Sequence, residues 1–88
     1  MIPIYSFLEG DSLGLLIFAY EDETIQEIIN KVQISANLRV KPRTDLNLYR
    51  NEKKFDPKMT VKEAGLLPLE IIHIHSEVQN AVSSRVSH

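Results

Sequence analysis

The sequence predicts an α+β domain in which a mixed sheet of four or five strands packs against one main helix and a short helical turn. Three observations support this prediction. Apolar segments of strand length lie near both ends of the chain and in its middle. One segment between them has apolar residues at helical spacing. A second, shorter segment repeats the start signal of a helix and reaches a glycine within about one turn.

The chain begins with two apolar segments that are predicted to form a hairpin. Ile2 to Leu8 is rich in β-branched and aromatic residues, and it ends at Glu9-Gly10-Asp11, a set that favours a turn. Leu13 to Tyr20 is a second apolar run of strand length. Both strands are apolar at odd and at even positions, so the pattern does not decide which side faces the core.

The main helix is predicted from its start signal and its apolar stripe. Thr24-x-x-Glu27 has the spacing of a capping box, in which each residue satisfies a backbone N–H of the other. The residues that follow at positions i, i+3, i+4 and i+7 are all apolar, which predicts a helix of about three turns with one buried face. These residues are Ile25, Ile28, Ile29 and Val32.

The second half of the chain alternates between short strands and turns. Residues 46–49 alternate like a strand, and a short extended segment ends at Phe55. Thr60-x-x-Glu63 repeats the capping-box spacing, and Gly65 stands where a one-turn helix would end. Pro68 then prevents a helix from continuing, and residues 69–75 are predicted to form the last strand.

The predicted order of elements describes a ubiquitin-like β-grasp over residues 1–78, followed by a polar, flexible tail at 79–88. A ubiquitin that is conjugated to other proteins ends in a Gly-Gly carboxylate, whereas this chain has no glycine after Gly65. A covalent modifier is therefore not expected.

Composition narrows the class of protein. The chain has 88 residues, 43% hydrophobic and 25% charged, which is typical of one small globular domain. A net charge of −2 gives no general attraction to nucleic acid or anionic lipid. There is no cysteine, no basic leader and no apolar run of about 20 residues. We expect a cytoplasmic protein without a nucleic-acid or membrane partner.

The stretch EIIHIHSE at residues 70–77 raises the question of a metal site. Glu70 and His73 have the Glu-x-x-His spacing of diiron enzymes, but that motif requires a helix, where residues three apart share a face. In a strand the two side chains diverge. His73, His75 and Glu77 do share a face and could supply half of a zinc or nickel site, although the only other histidine is His88. The favoured interpretation directs Ile72 and Ile74 into the core and the histidines outward.

No residue pattern in the chain indicates catalysis. The three glycines do not form a phosphate-binding loop, and no serine and aspartate stand in a recognisable arrangement with a histidine. We therefore predict no catalytic residue, no cofactor and no metal in this chain.

The apolar surplus in the first two strands favours docking on another protein. One helix covers only one face of a sheet, so one set of large side chains lacks an internal partner, and an exposed apolar patch favours association. The alternative is that the segment at 33–44 wraps over the second face. A basic run at 39–43 is a further candidate for contact with an acidic partner.

The motifs taken together resemble the small (gamma, B-type) subunit of bacterial multicomponent diiron monooxygenases, the toluene/o-xylene monooxygenase family. Their joint order over residues 2–77 carries the resemblance, whereas each motif alone is weak. The motifs are Ile2-Pro3-Ile4, Glu9-x-Asp11, Glu23-Thr24-Ile25 with Lys31-Val32, Arg39-Val40-Lys41-Pro42-Arg43, Phe55-Asp56-Pro57-Lys58-Met59-Thr60-Val61 and Ala64-Gly65-Leu66-x-Pro68-x-Glu70.

The resemblance implies a non-catalytic accessory subunit of a hydroxylase that holds two copies each of alpha, beta and gamma chains. The alpha chain carries the diiron centre, and this chain docks on it. The contact candidates are Tyr5, Phe7, Leu16, Phe18, Tyr20, Arg39, Lys41 and Arg43. Two alternatives stay open at this point: a free-standing ubiquitin-like adaptor that binds another protein, and a small metal-binding protein that uses His73 and His75.

Overall fold

The structure is a computed structural model that describes residues 1–77, and it contains the predicted elements in the predicted order. The predicted tail at 79–88, together with residue 78, lies outside the described residues. The elements are β1 (Ile2–Leu8), β2 (Gly14–Ala19), α1 (Ile25–Ser35), β3 (Leu46–Arg50), β4 (Lys53–Lys54), α2 (Val61–Ala64) and β5 (Ile71–Ser76).

The five strands form one mixed sheet in the order β2-β1-β5-β3-β4. β1 and β5 run parallel, and each of the other neighbouring pairs is antiparallel. The long connection between β2 and β3 carries α1 across one face of the sheet. This arrangement confirms the predicted ubiquitin-like β-grasp.

The core lies between α1 and the inner face of the sheet. The helix contributes its whole predicted stripe, because those side chains are 0–1% exposed. The three central strands contribute branched aliphatic side chains that are fully buried, and such burial is the main stabilising term for a domain of this size. The two sets are Ile25, Ile28, Ile29 and Val32 from the helix, and Ile4, Leu48, Ile72 and Ile74 from the sheet.

The structure decides which side of the first hairpin faces the core. Ile4 and Leu8 on β1 and Ile17 and Ala19 on β2 are buried under α1. Ser6 is also on this side and is completely buried, and its hydroxyl donates to the carbonyl oxygen of Leu15 at 3.1 Å. The opposite set of side chains therefore points away from the helix.

Both predicted capping boxes are present, and the one at α1 has a measurable consequence. The Thr24 hydroxyl accepts from the Glu27 N–H at 3.1 Å, and the Glu27 carboxylate accepts from the Thr24 N–H at 2.8 Å. Thr24→Ala is expected to lower the free energy of unfolding by about 1 kcal/mol, because it leaves the Glu27 N–H without its acceptor. Urea unfolding measures this loss. Thr44→Ala, in an exposed loop, is the control, and an equal loss at both positions would contradict the assignment.

Candidate protein-docking site

The stretch at 70–77 contains the central strand β5 and contributes to the core. β5 directs Ile72 and Ile74 into the core, as predicted, and both are 0% exposed. Glu70 precedes the strand, and its carboxylate accepts from the Arg50 guanidinium at 3.1 Å and from the Leu67 N–H at 2.8 Å. His73 lies on the outward side of β5. Glu70 and His73 therefore do not converge on a common point.

The two histidines of β5 stack on different aromatic rings. His73 lies against Phe7 with ring centroids 5.5 Å apart, and His75 lies parallel to Tyr49 with ring centroids 4.1 Å apart. Within residues 1–77, no group of three or more His, Cys, Asp or Glu side chains is placed to hold a metal ion. The histidines are therefore part of the aromatic packing on the outward side of the sheet.

An apolar surface, which we call the outer face, covers the side of β2, β1 and β5 that α1 leaves open. Tyr5 lies directly opposite Leu16 on β2 and beside Ile71 on β5. Four of its five members were predicted as contact candidates, and Ile71 was missed although its alternation with the buried Ile72 could have indicated it. The members, each 39–51% exposed, are Tyr5, Phe7, Leu16, Phe18 and Ile71.

Two local features shape the border of the outer face. Gly14 makes room for Phe7, because a Cβ atom at Gly14 would lie 2.7 Å from the Phe7 ring. Tyr20, the fifth predicted aromatic or aliphatic contact, follows β2 and has the Lys31 ammonium 5.3 Å from its ring centroid. Tyr20 thus lies at the edge of β2.

The predicted basic contacts lie in the loop between α1 and β3 rather than on the strands of the outer face. Arg39 donates two hydrogen bonds of 3.0 Å to the two carboxylate oxygens of Asp11, and these bonds lower the pKa of Asp11. Arg43 lies 2.7 Å from Asp45 and 3.2 Å from Glu9. The guanidinium groups hold this loop to the turn after β1. The third predicted basic residue, Lys41, is exposed.

The loop between α1 and β3 does not cover the outer face. Its Val40 packs against the core, and Gly10 in the turn after β1 lies beneath Val40. The members of the outer face stay about half exposed within residues 1–77. The alternative of internal coverage by this loop is therefore wrong for the described residues.

Tyr49 contains a buried hydroxyl group whose removal should stabilise the chain. Tyr49 is 7% exposed, and among residues 1–77 its hydroxyl has no hydrogen-bond partner. Because a buried polar group without a partner costs about 1–3 kcal/mol, Tyr49→Phe is expected to raise the free energy of unfolding by about 1 kcal/mol. Thermal and urea unfolding measure the gain. Tyr20→Phe is the exposed control, and destabilisation by Tyr49→Phe would show that the hydroxyl is satisfied.

These features define a class of protein: a ubiquitin-like domain with one covered and one open apolar face. The family model of toluene-4-monooxygenase system protein B (TmoB) matches residues 1–75, and the chain belongs to this family. Membership makes it an accessory subunit of a monooxygenase. A search of curated proteins finds no match.

Solved structures agree with this assignment. A chain of the toluene 4-monooxygenase HD complex with the inhibitor 4-bromobenzoate is 28% identical, with a TM-score of 0.78 over 86% of this chain and 98% of that chain. The ubiquitin of Caldiarchaeum subterraneum is 14% identical, with a TM-score of 0.72 over 86% of this chain and 92% of its own. A ubiquitin-like domain from Arabidopsis thaliana is 18% identical, with a TM-score of 0.69 over 86% and 77%. The last two show the fold alone.

Neither helix in residues 1–77 has the length and apolar character of a membrane span.

Proposed function

We propose that this chain is the small, non-catalytic subunit of the hydroxylase component of a multicomponent diiron monooxygenase, and that its outer face docks on the large subunit. The large subunit would hold the diiron centre, in an assembly with two copies each of the large, middle and small chains. The observation that carries the proposal is the open outer face on a chain of the TmoB family.

The chemistry of the outer face supports contact with a protein. Its members are aromatic or branched aliphatic and lie on three adjacent strands of the sheet. Tyrosine and phenylalanine are enriched at the centres of protein interfaces because they bury a large area with little loss of side-chain entropy. The basic loop at 39–43 is a less favourable contact, because Arg39 and Arg43 already face carboxylates of this chain.

The five side chains of the outer face give a limited gain on docking. Burying the exposed half of one such side chain contributes on the order of 1 kcal/mol, so five contribute on the order of 5 kcal/mol. Association costs about 4–15 kcal/mol in lost translational and rotational freedom. The gain from these five side chains lies at the low end of that cost, so further contacts on this chain would strengthen docking.

Co-expression with the large and middle hydroxylase subunits of the same monooxygenase tests the proposal. We expect the small chain to co-purify with them and to appear in equal copy number by light scattering and quantitative gel analysis. Iron should be found in the assembly and should stay with the large subunit when the small chain is removed. Separate elution of the small chain from an assembled, iron-loaded hydroxylase would contradict the proposal.

A free-standing adaptor is the rival function, and neighbouring genes separate the two. Genes for a large subunit with paired Glu-x-x-His motifs and for a Rieske-type ferredoxin should accompany the gene for this chain. The ubiquitin-like neighbours support the fold and do not favour the adaptor, because their identity to this chain is 14% and 18%.

A further inference from the structure

The two edges of the sheet are protected to very different degrees. β4 forms one edge, is two residues long and consists of Lys53 and Lys54. β2 forms the other edge and is six residues long, and no charged residue stands between Asp11 and Glu21. Soluble proteins usually blunt an edge with short strands, lysine or proline, because unpaired peptide groups otherwise recruit another strand. β4 has this protection and β2 lacks it.

The hydrogen bonds of β1 identify the peptide groups that β2 presents to its free edge. The Tyr5 N–H donates to the carbonyl oxygen of Glu70, and the Leu69 N–H donates to the carbonyl oxygen of Pro3. Pro3 and Tyr5 thus direct their peptide groups toward β5. In an antiparallel pair, residues opposite such positions direct their own peptide groups away from the neighbouring strand. These residues are Gly14, Leu16 and Phe18, opposite Phe7, Tyr5 and Pro3.

Side chains close only one end of this edge. The Lys31 ammonium donates to the carbonyl oxygen of Phe18 at 2.7 Å, and the Glu23 carboxylate accepts from the Tyr20 N–H at 2.8 Å. Lys31 and Glu23 also bind each other at 2.8 Å. Within residues 1–77, no side chain bonds to the peptide groups of Gly14 and Leu16. The free part of the edge therefore runs from Gly14 to the N–H of Phe18.

We propose that an extended strand of the large hydroxylase subunit adds to the sheet along this free part of β2. The inference rests on the proposed function and deepens it by naming a second contact beside the outer face. The incoming segment would be about four residues long and free of proline where it pairs. Its side chains on one side would be apolar, because they would continue the outer face beside Leu16 and Phe18.

Pairing with a second copy of this chain fits the edge less well. Two β2 strands that paired antiparallel about Leu16 would set Phe18 of each copy opposite Gly14 of the other. The Phe18 carbonyl oxygen already accepts from Lys31, so in each copy that ammonium group would compete with the Gly14 N–H of the other copy. A strand of different sequence can end before this position.

Two substitutions at Leu16 distinguish strand pairing along the free edge of β2 from side-chain contact through the outer face. Leu16→Ala removes the apolar side chain and keeps the outward N–H. Leu16→Pro removes the leucine side chain and also the outward N–H. The hydrogen bonds between β2 and β1 remain, because Leu16 lies opposite Tyr5 but does not bond to it through its peptide groups. We expect Leu16→Pro to bind the large subunit at least about tenfold more weakly than Leu16→Ala, through the lost hydrogen bond and the clash of the ring with the added strand.

Amide hydrogen exchange of the wild-type chain gives a second readout that needs no variant. In the isolated chain, the Leu16 and Phe18 amides should exchange fast and the Ile17 amide, which bonds to β1, slowly. In the complex, the Leu16 and Phe18 amides should slow by about a hundredfold, toward the rate of Ile17. This readout decides the matter if Leu16→Pro fails to fold by circular dichroism.

The outcomes distinguish this inference from the proposed function. Equal binding of Leu16→Pro and Leu16→Ala in an intact complex, or unchanged exchange at Leu16 and Phe18, would overturn strand addition and leave docking by the outer face. Absence of any complex with the wild-type chain would overturn both. Protection of the same amides in a dimer of this chain, without the large subunit, would identify a second copy as the occupant and overturn the proposal.

Discussion

Tyr5→Asp is expected to release the chain from the hydroxylase while the isolated chain stays folded. Tyr5 lies at the centre of the outer face, between Leu16 and Ile71, and is 42% exposed. In the isolated chain a carboxylate at this position stays in contact with water. In the complex it would be buried against apolar groups without a partner, which costs several kcal/mol. We expect at least a hundredfold loss of affinity.

Biolayer interferometry or co-purification measures this loss of affinity, and urea unfolding checks that the isolated variant is folded. Leu38→Asp is the matched control, because Leu38 is 95% exposed and lies after α1 rather than on the outer face. The control should bind like the wild type. Equal binding by Tyr5→Asp and the wild type would exclude the outer face from the interface, and equal loss by both variants would show that charge alone weakens binding.

The largest effect on folding is expected at Ile72, and its neighbour Ile71 provides the comparison. Ile72 is 0% exposed in the middle of the core, whereas Ile71 is 51% exposed on the outer face. Ile72→Ala removes buried methyl groups and leaves a cavity, so it should lower the free energy of unfolding by about 2–5 kcal/mol. This loss is a large part of the roughly 5–15 kcal/mol of a typical domain.

Ile71→Ala should lower the free energy of unfolding by only about 1 kcal/mol, because half of the side chain is exposed, and should also weaken the complex. The same substitution at adjacent positions is thus expected to act mainly on folding at Ile72 and mainly on binding at Ile71. Urea unfolding of the isolated chains and affinity for the large subunit are measured on both variants. Similar destabilisation by both would contradict the orientation of β5, and normal binding by Ile71→Ala would remove this residue from the interface.

Local patterns were sufficient for the helix and for the last strand. The stripe of α1 repeats at helical spacing, and a capping box stands at its start, so periodicity and end signals agree. In β5, Ile72 and Ile74 alternate with two histidines, so one side of the strand is clearly the more apolar. Where only one side of an element is apolar, the sequence determines the buried side, because burial of the other would expose apolar groups and desolvate polar ones.

The first hairpin shows what local patterns leave open. β1 and β2 have apolar residues at both odd and even positions, so either side of the hairpin could have packed against the helix. The placement of α1 over the sheet decided that Ile4 and Ile17 are buried and that Tyr5 and Leu16 stay open. The buried side depends on which face of the sheet α1 crosses. It also depends on the pairing of β1 with β5, in which paired residues are more than 60 positions apart in sequence.

Charge pairing and edge exposure were likewise decided by tertiary structure. The sequence showed a basic run, but only the fold brings Arg39 to Asp11, 28 residues away, and Arg43 to Glu9. The free edge of β2 follows from the strand order rather than from the β2 sequence. The sequence by itself determined the elements and their start signals, because these depend on neighbouring residues, and it indicated the family through the order of its motifs along the chain. Tertiary structure decided the open face, the paired charges and the unprotected edge, because each depends on contacts between residues distant in sequence.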